Sequence, residues 1–373
     1  MNVIDYIDYY GRYSFDERPF NEIDNLVFSL ISYVDLNKQV SKNSFKPISL
    51  SEVSDDIFKS IDSSFIKKQI LATREGLKVL EEASKVNRYK DIKLINYVYK
   101  ADEKSQFSAV TFKISSNLCY VSFEGTDQLI SGWEEDFKMA YRFPVEAQVY
   151  AKNYLNKHFI LKNTKIIVGG HSKGGNLALT SAMYCNRLIK NKIIKIYSND
   201  GQGLRMSQIV SKQFKSIEDR YIHIVPNYSI VGMLLRNNDN YKVIKSNKKG
   251  IMAHSGLSWQ VSYDHFEMDK LSRFSKVFKE GFEKWLDNYD DEQRKLFVTS
   301  IFDLLYKNNI RDIKEIKSKK EFIKNIIKSS KELHPNVKQM TLDLIKIINK
   351  TNLEYPWFWY IMFIGGKYGI KRK

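Results

Sequence analysis

The chain has 373 residues, 43% hydrophobic, 13% aromatic and 28% charged, and its 60 Lys and Arg against 43 Asp and Glu give a net charge of +17. Its 23 Tyr, 22 Phe and 5 Trp supply more buriable surface than a disordered chain carries, and 17 Gly with 6 Pro exclude collagen-like or linker-like sequence. Two cysteines, Cys119 and Cys185, are too few for a disulfide scaffold or a zinc knuckle, so a reducing compartment is the simpler reading.

The first ten residues contain acidic side chains and no basic one, unlike a secretory signal, and the expectation is a cytoplasmic protein. Residues 21–34 place Ile23, Leu26, Val27, Leu30, Ile31 and Val34 at helical spacing, and residues 51–85 read as one or two further helices. Residues 107–114 and 117–123 are strand-like on either side of Ser115-Ser116, which predicts a hairpin. Residues 144–159 read as a helix with Pro144 near its start. Short β-branched runs follow at 165–169, 192–198, 221–225 and 241–245. Helical pattern fills 174–190, and 206–214 reads as helical before the third run. Strands alternating with helices predict an α/β fold with a mainly parallel central sheet covered on both faces.

Beyond Met268 the strand signal stops, and residues 274–373 read as amphipathic helices, for instance at Ile323, Ile326 and Ile327 and at Leu342, Ile345 and Ile348. Residues 270–373 hold 23 basic and 13 acidic residues, +10 of the net charge. Such a tail can meet lipid or nucleic-acid phosphates, although a Lys-rich solvated helix surface is the plainer reading. With no recognised nucleic-acid motif, no specific nucleic-acid partner is expected. The longest apolar run, 357–364, is well short of the roughly 20 residues a spanning helix needs. Its Trp357, Phe358, Trp359 and Phe363, followed by Lys367, Lys371, Arg372 and Lys373, have the composition of a weak membrane-surface anchor; packing against the rest of the chain, or a dimer contact, is the alternative.

The most informative stretch is Lys165-Ile-Ile-Val-Gly-Gly-His-Ser-Lys-Gly-Gly-Asn-Leu-Ala178. An apolar strand runs into Gly170-His-Ser-Lys-Gly174 and a small-residue helix follows at once, the context that a G-x-S-x-G nucleophile elbow requires. Ser172 is the candidate nucleophile, and it opens a helix whose N-terminus favours an oxyanion.

A base should lie downstream of the serine, with an acid between them. His158 and His171 fail that order, and His171, at the variable elbow position, is expected to point away. His223 lies inside an apolar run, and His334 far out in the helical tail. Of the remaining His254 and His265, His254 is chosen, because it follows the last predicted strand. The carboxylates in the interval are Asp200, Glu218, Asp219 and Asp239. Asp200 leads, because it opens a turn at the carboxyl end of a parallel strand, where catalytic groups of α/β sheets collect. A turn-forming role is its alternative.

Phe123-Glu-Gly-Thr-Asp, Trp133-Glu-Glu-Asp136 and Gly170-His-Ser-Lys-Gly174 together resemble the class 3 lipase pattern. Within that group the chain is most similar to a bacterial lipase-like family of unknown function, the Mbeg-like family. That similarity rests on Phe20-Asn-Glu-Ile-Asp-Asn-Leu, Gly132-Trp-Glu-Glu-Asp-Phe, Asn199-Asp-Gly-Gln-Gly, Ser229-Ile-Val-Gly-Met-Leu-Leu, and His254 with Ser258-Trp-Gln-Val. The resemblance implies Ser172 as nucleophile, His254 as base, and the backbone N–H groups of Thr126 and Lys173 as the oxyanion hole; one donor after the nucleophile and one from an earlier strand end is what acyl transfer requires.

Two departures stand out. The lipase pattern has its Asp shortly after the strand equivalent to 221–225, where this chain has Pro226-Asn-Tyr-Ser229. The acid is then Asp200, or Asn227 or Tyr228 orients the imidazole less well, or catalysis is impaired. Glu124 also stands where the pattern has an Arg paired with the later Asp, here Asp136, so one of the two needs another cation or a raised pKa. Trp133 and Met139 fall where class 3 lipases carry an apolar lid, with core packing as the alternative, and the acids Glu134, Glu135 and Asp136 make residues 130–136 a poor surface for an anionic lipid interface.

The expectation is therefore an α/β-hydrolase domain over residues 1–265, including an N-terminal helical cap, followed by a basic helical extension over 266–373. The expected function is hydrolysis of a carboxylic ester of a lipid or acylated molecule through an acyl-serine, with no metal or organic cofactor. A hydrolase fold reduced to a binding or regulatory module is the alternative.

Overall fold

The computed structural model describes residues 1–43, 45–102, 105–127, 129–312 and 333–351, so the helix expected around Ile323 and the apolar run 357–364 lie outside the described residues. Among the described residues the N-terminal part holds the helices α1 (Val3–Tyr10), α2 (Glu22–Ile31), α3 (Leu50–Ser60), α4 (Ser63–Lys68) and α5 (Leu71–Ala83), with a two-residue strand between α2 and α3. Asn2 and Asn21 cap α1 and α2, and Asp5 and Asp24 reach back to the cap N–H groups, so at each helix an Asn and an Asp satisfy three otherwise unbonded donors.

Eight strands pair in their order along the chain: β1 (Ile48–Ser49), β2 (Lys93–Ala101), β3 (Gln106–Lys113), β4 (Leu118–Phe123), β5 (Lys165–His171), β6 (Ile193–Asn199), β7 (Tyr221–Pro226) and β8 (Tyr241–Ile244). Pairing is antiparallel up to β4 and parallel from β4 to β8. The predicted hairpin is β3–β4, whereas β2, with its several charged and polar residues, was not foreseen as a strand.

The parallel strands are joined through α6 (Ile130–Lys138) and α7 (Glu146–Phe159), then α8 (Lys173–Tyr184) and α9 (Arg187–Lys190), then α10 (Met206–Ile209) and α11 (Lys212–Lys215). The single helix expected over 206–214 is thus two, because the Ser211 hydroxyl accepts from the Phe214 N–H and starts a new turn. A sheet that grows in one direction through right-handed crossovers carries its crossover helices on one face. On that face α7 and α8 bury Cys119, Val121 and Phe123 of β4 with Ile166 and Val168 of β5. The other face, with Tyr120, Ile167, Tyr197 and Ile224, is covered by the N-terminal helices through Leu26, Val27, Phe28 and Leu80. Strand pleat makes this division: neighbours along β4 go to opposite cores.

A buried ion pair ties the N-terminal layer together. Asp24 and Arg88 have fully buried side chains, with Arg88 Nη2 2.6 Å and Nε 2.8 Å from the carboxylate. Tyr89 and Tyr6 hydroxyls donate to the same carboxylate at 2.6 and 3.2 Å, and the remaining guanidinium hydrogens go to the carbonyls of Tyr13, Ser14, Arg18 and Pro19.

After the short ribbon β9 (Val261–Ser262) and β10 (His265–Phe266), helices α12 (Arg273–Asn288), α13 (Asp291–Lys307) and α14 (Pro335–Lys350) form a third layer. Phe297, Phe302 and Leu305 pack there against Ile130, Trp133, Phe137 and Met139 of the α6 region. Met139 is buried, so of the two readings of Trp133 and Met139 the structure supports core packing. No helix among the described residues is long and apolar enough to cross a membrane.

Candidate active site

β5 delivers Ser172 to a turn in which its backbone has φ 59° and ψ −133°, a conformation L-residues rarely adopt. The Ser172 N–H donates to Asn199 O at 2.9 Å and its carbonyl accepts from Gly175 N at 2.9 Å. The turn is possible because a Cβ at Gly174 would fall on the Phe123 carbonyl oxygen, and one at Gly170 on the Gly174 backbone. Strand, serine and helix therefore approach only with glycine at both positions.

Asp200 follows β6 in a left-handed conformation with φ 49° and is completely buried. Its Oδ2 accepts from His254 Nδ1 at 2.7 Å. Its Oδ1 accepts from the Ser229 hydroxyl at 2.5 Å and the Gly232 N–H at 3.0 Å. Burial pushes this carboxyl up, but the hydrogen bond and charge of His254, with the Ser229 hydroxyl, outweigh it and hold it below the usual range. Asn227 and Tyr228 face elsewhere: Asn227 Nδ2 donates to Asp269 Oδ2 at 2.6 Å, and the Tyr228 ring lies against Phe274. The chain thus brings Asp200, not a residue after β7, to the imidazole. With Nδ1–H donating to Asp200, His254 Nε2 is left as an acceptor. The Ser172 hydroxyl has no hydrogen-bond partner among the described residues.

His171 does not point away. Its ring lies 4.3 Å from that of His254, and its Nε2 is 2.7 Å from the His254 carbonyl. A carbonyl only accepts, so Nε2 carries the proton and Nδ1 accepts from the Tyr33 hydroxyl at 3.0 Å. Burial, with the charge of His254, pushes the His171 pKa down to about 3, so the ring is a neutral neighbour of the His254 imidazole. Strand alternation explains the direction: His171 faces the N-terminal layer, where Tyr33 stands just beyond α2.

The other histidines make contacts of their own. His223 Nε2 donates to Gly201 O at 3.1 Å and braces the turn after Asp200. His158 packs on Tyr154, His265 is exposed beside Asp264, and His334 caps α14. Asp219 pairs with Arg220, Glu218 with Lys215 and Asp239 with Lys279.

The turn bearing His254 is held by residues quoted above only as motif. Trp259 Nε1 donates to Ala253 O at 2.9 Å and the Ser258 hydroxyl to Ser255 O at 2.6 Å. The Ser255 hydroxyl donates to Glu75, a carboxylate of α5 pushed above its usual range by burial. Asn25 Nδ2 donates to Asn199 Oδ1 at 2.8 Å, fixing the residue before Asp200. Glu75, Tyr33 and His171 were not found from sequence. Asn25, Asn199, Ser229 and Gly232 stood in the motifs but without a role.

Lys173 directly follows Ser172 as the first residue of α8, and Thr126 lies just beyond the end of β4. Neither backbone N–H has a hydrogen-bond partner among the described residues. The Thr126 hydroxyl donates to Asp136 Oδ2. Lys173 is completely buried, its Nζ 2.6 Å from Glu135 Oε2 and 2.8 Å from Gln106 O. Glu124 and Asp136 resolve the missing cation by raised pKa: burial pushes Glu124 well above the carboxylate range, and pushes Asp136 up to about 7 against the pull of Lys173. The acids of α6 therefore face inward, and the expected acidic lid surface is not there. Glu135 is buried, and the Glu134 carboxylate pairs with Lys138 and accepts from the Tyr306 hydroxyl.

The model of the Mbeg1-like family matches residues 83–303, more than half of the chain. Among solved structures, M37 lipase is 16% identical, with a TM-score of 0.35 over 57% of this chain and 70% of that one. The native propeptide complex of Rhizomucor miehei lipase is 13% identical, with a TM-score of 0.34 over 56% of this chain and 74% of that one. No curated protein matches the sequence.

Proposed function

Since the chain belongs to the Mbeg1-like family and has a lipase-like α/β-hydrolase fold, we propose that it hydrolyses carboxylic esters of lipid or acylated molecules through an acyl-serine intermediate. The observation that carries this reading is the 2.7 Å hydrogen bond from His254 Nδ1 to the buried Asp200 carboxylate, next to a serine in a strained elbow.

In this reading Ser172 Oγ attacks the ester carbonyl carbon while His254 Nε2 takes its proton, and the negative charge formed on the carbonyl oxygen is met by the N–H groups of Thr126 and Lys173. Asp200 stabilises the imidazolium and holds its tautomer. The C–O bond to the alcohol then breaks, His254 returns the proton to the departing oxygen, and an acyl-serine is left. Water repeats the sequence with His254 as base, releasing the acid and Ser172. The alternative, a hydrolase fold kept only for binding, drew support from the absent carboxylate after β7, and the Asp200–His254 bond counts against it.

A fluorophosphonate probe tests the proposal without knowledge of the substrate. The wild-type protein is expected to label and Ser172→Ala to stay unlabelled. Equal labelling of both, or of neither, would sink the hydrolase reading.

A further inference from the structure

Two successive residues of α6 each hold one of the two residues whose N–H groups form the oxyanion hole in the proposed function. Asp136 Oδ2 accepts from the Thr126 hydroxyl, and Glu135 Oε2 pairs with Lys173 Nζ at 2.6 Å. Glu135 is itself fixed, since its Oε1 accepts the Ala147 N–H, at the start of α7, at 2.7 Å. Lys173 reaches from the first turn of α8 to α6 and β3, where the Gln106 carbonyl takes a second ammonium hydrogen at 2.8 Å. Both charged side chains have no exposure at all.

Burying two ions costs several kcal/mol each before their attraction is counted, and an apolar pair of similar size would fill the same volume without that cost. Lys173 also directly follows the nucleophile, so any rotation of its backbone moves the donor aimed at the forming oxyanion. A side chain clamped at its far end by two acceptors restrains that rotation. The third layer in turn clamps α6: Ile130 N–H donates to Arg311 O at 3.0 Å, Tyr306 Oη donates to Glu134 Oε2 at 2.8 Å, and the Phe137 and Phe302 rings meet at 5.5 Å.

We propose that Glu135 is a positioning residue of the oxyanion hole: acting through Lys173, it fixes the N–H that follows the nucleophile, while its neighbour Asp136 fixes the other donor through Thr126, so that the setting of α6 sets the hole. This inference rests on the proposed ester hydrolysis, and its test separates the two.

The double variant Glu135→Leu/Lys173→Met removes both charges together and keeps the volume filled. Melting temperature, fluorophosphonate labelling rate, and kcat and KM for a soluble short-chain ester are measured beside wild type. The expected result is a melting temperature near that of wild type, an unchanged KM, and kcat and labelling rate lower by roughly 100-fold, the scale of losing one oxyanion donor. A stable double variant with wild-type kcat overturns the proposal and makes the pair a matter of packing alone. Should the double variant not fold, Glu135→Gln gives the same reading per titrated active site: kcat is expected to fall at least about tenfold at constant KM, and an unchanged kcat overturns the proposal. A wild-type protein that neither labels nor turns over ester removes the hydrolase reading itself, and this inference with it.

Discussion

Replacing Asp200 by Asn changes one atom and should remove most of the activity. The carboxylate accepts three hydrogen bonds, from His254 Nδ1 at 2.7 Å, Ser229 Oγ at 2.5 Å and Gly232 N at 3.0 Å. An Asn side chain can keep its oxygen toward Ser229 and Gly232, but its NH2 then faces His254 Nδ1. Two donors cannot bond, so the imidazole shifts its proton to Nε2 and accepts at Nδ1. The atom that should take the Ser172 proton is then already protonated, and the forming imidazolium has lost its buried counter-charge. The expected loss is roughly 1,000- to 10,000-fold in kcat with little change in KM, or about 4 to 5.5 kcal/mol of transition-state stabilisation. Stability should change less, by about 1 to 3 kcal/mol, because two of the three hydrogen bonds survive and a buried charge disappears. Initial rates on a soluble ester, normalised to the fluorophosphonate-titrated fraction, with Asn227→Ala and Tyr228→Phe as companions, measure it. An Asp200→Asn enzyme within tenfold of wild type, or an equal loss in Asn227→Ala, would refute the assignment of the acid.

Arg88→Met should destabilise the protein by roughly 3 to 5 kcal/mol, since it leaves the fully buried Asp24 carboxylate without a counter-charge, held only by the tyrosine hydroxyls and the Asn21 N–H; a change below about 1 kcal/mol in chemical denaturation would contradict this. Asp136→Asn should alter the pH dependence of stability. The folded protein holds the Asp136 proton up to about pH 7 against 3.8 for the ordinary carboxyl, so the folded state binds more protons than the unfolded one in that interval. Its contribution is therefore fully present below the lower value and is lost as pH rises through the higher one, by at most about 4 kcal/mol. Unfolding free energies of wild type minus variant should fall between pH 4 and 8, and a difference that stays flat across that interval would contradict the assignment.

Much of the site was legible because its chemistry is local. The elbow needs glycines on either side of Ser172 so that backbone can lie on backbone, and those glycines adjoin it in sequence. Asp200 and His254 could be reached by elimination, because strand ends are recognisable and few candidates followed Ser172. What sequence could not supply was any relation set by side chains meeting across the fold. His171 was expected to turn away, since its neighbours Tyr33 and His254 are 138 and 83 residues distant in the chain. Lys173 was valued only for its backbone N–H, as nothing nearby in sequence announces Glu135. The acids of α6 suggested a face repelled by lipid, whereas burial under α13 leaves Glu134 against Tyr306, Glu135 on Lys173 and Asp136 on Thr126. Periodicity says that a segment has an apolar face, and local backbone chemistry says where a turn must be. Which surface covers that face, and so which charges are desolvated and paired, is decided only when the sheet's one-directional growth leaves one face to the N-terminal helices and the C-terminal helices close over α6.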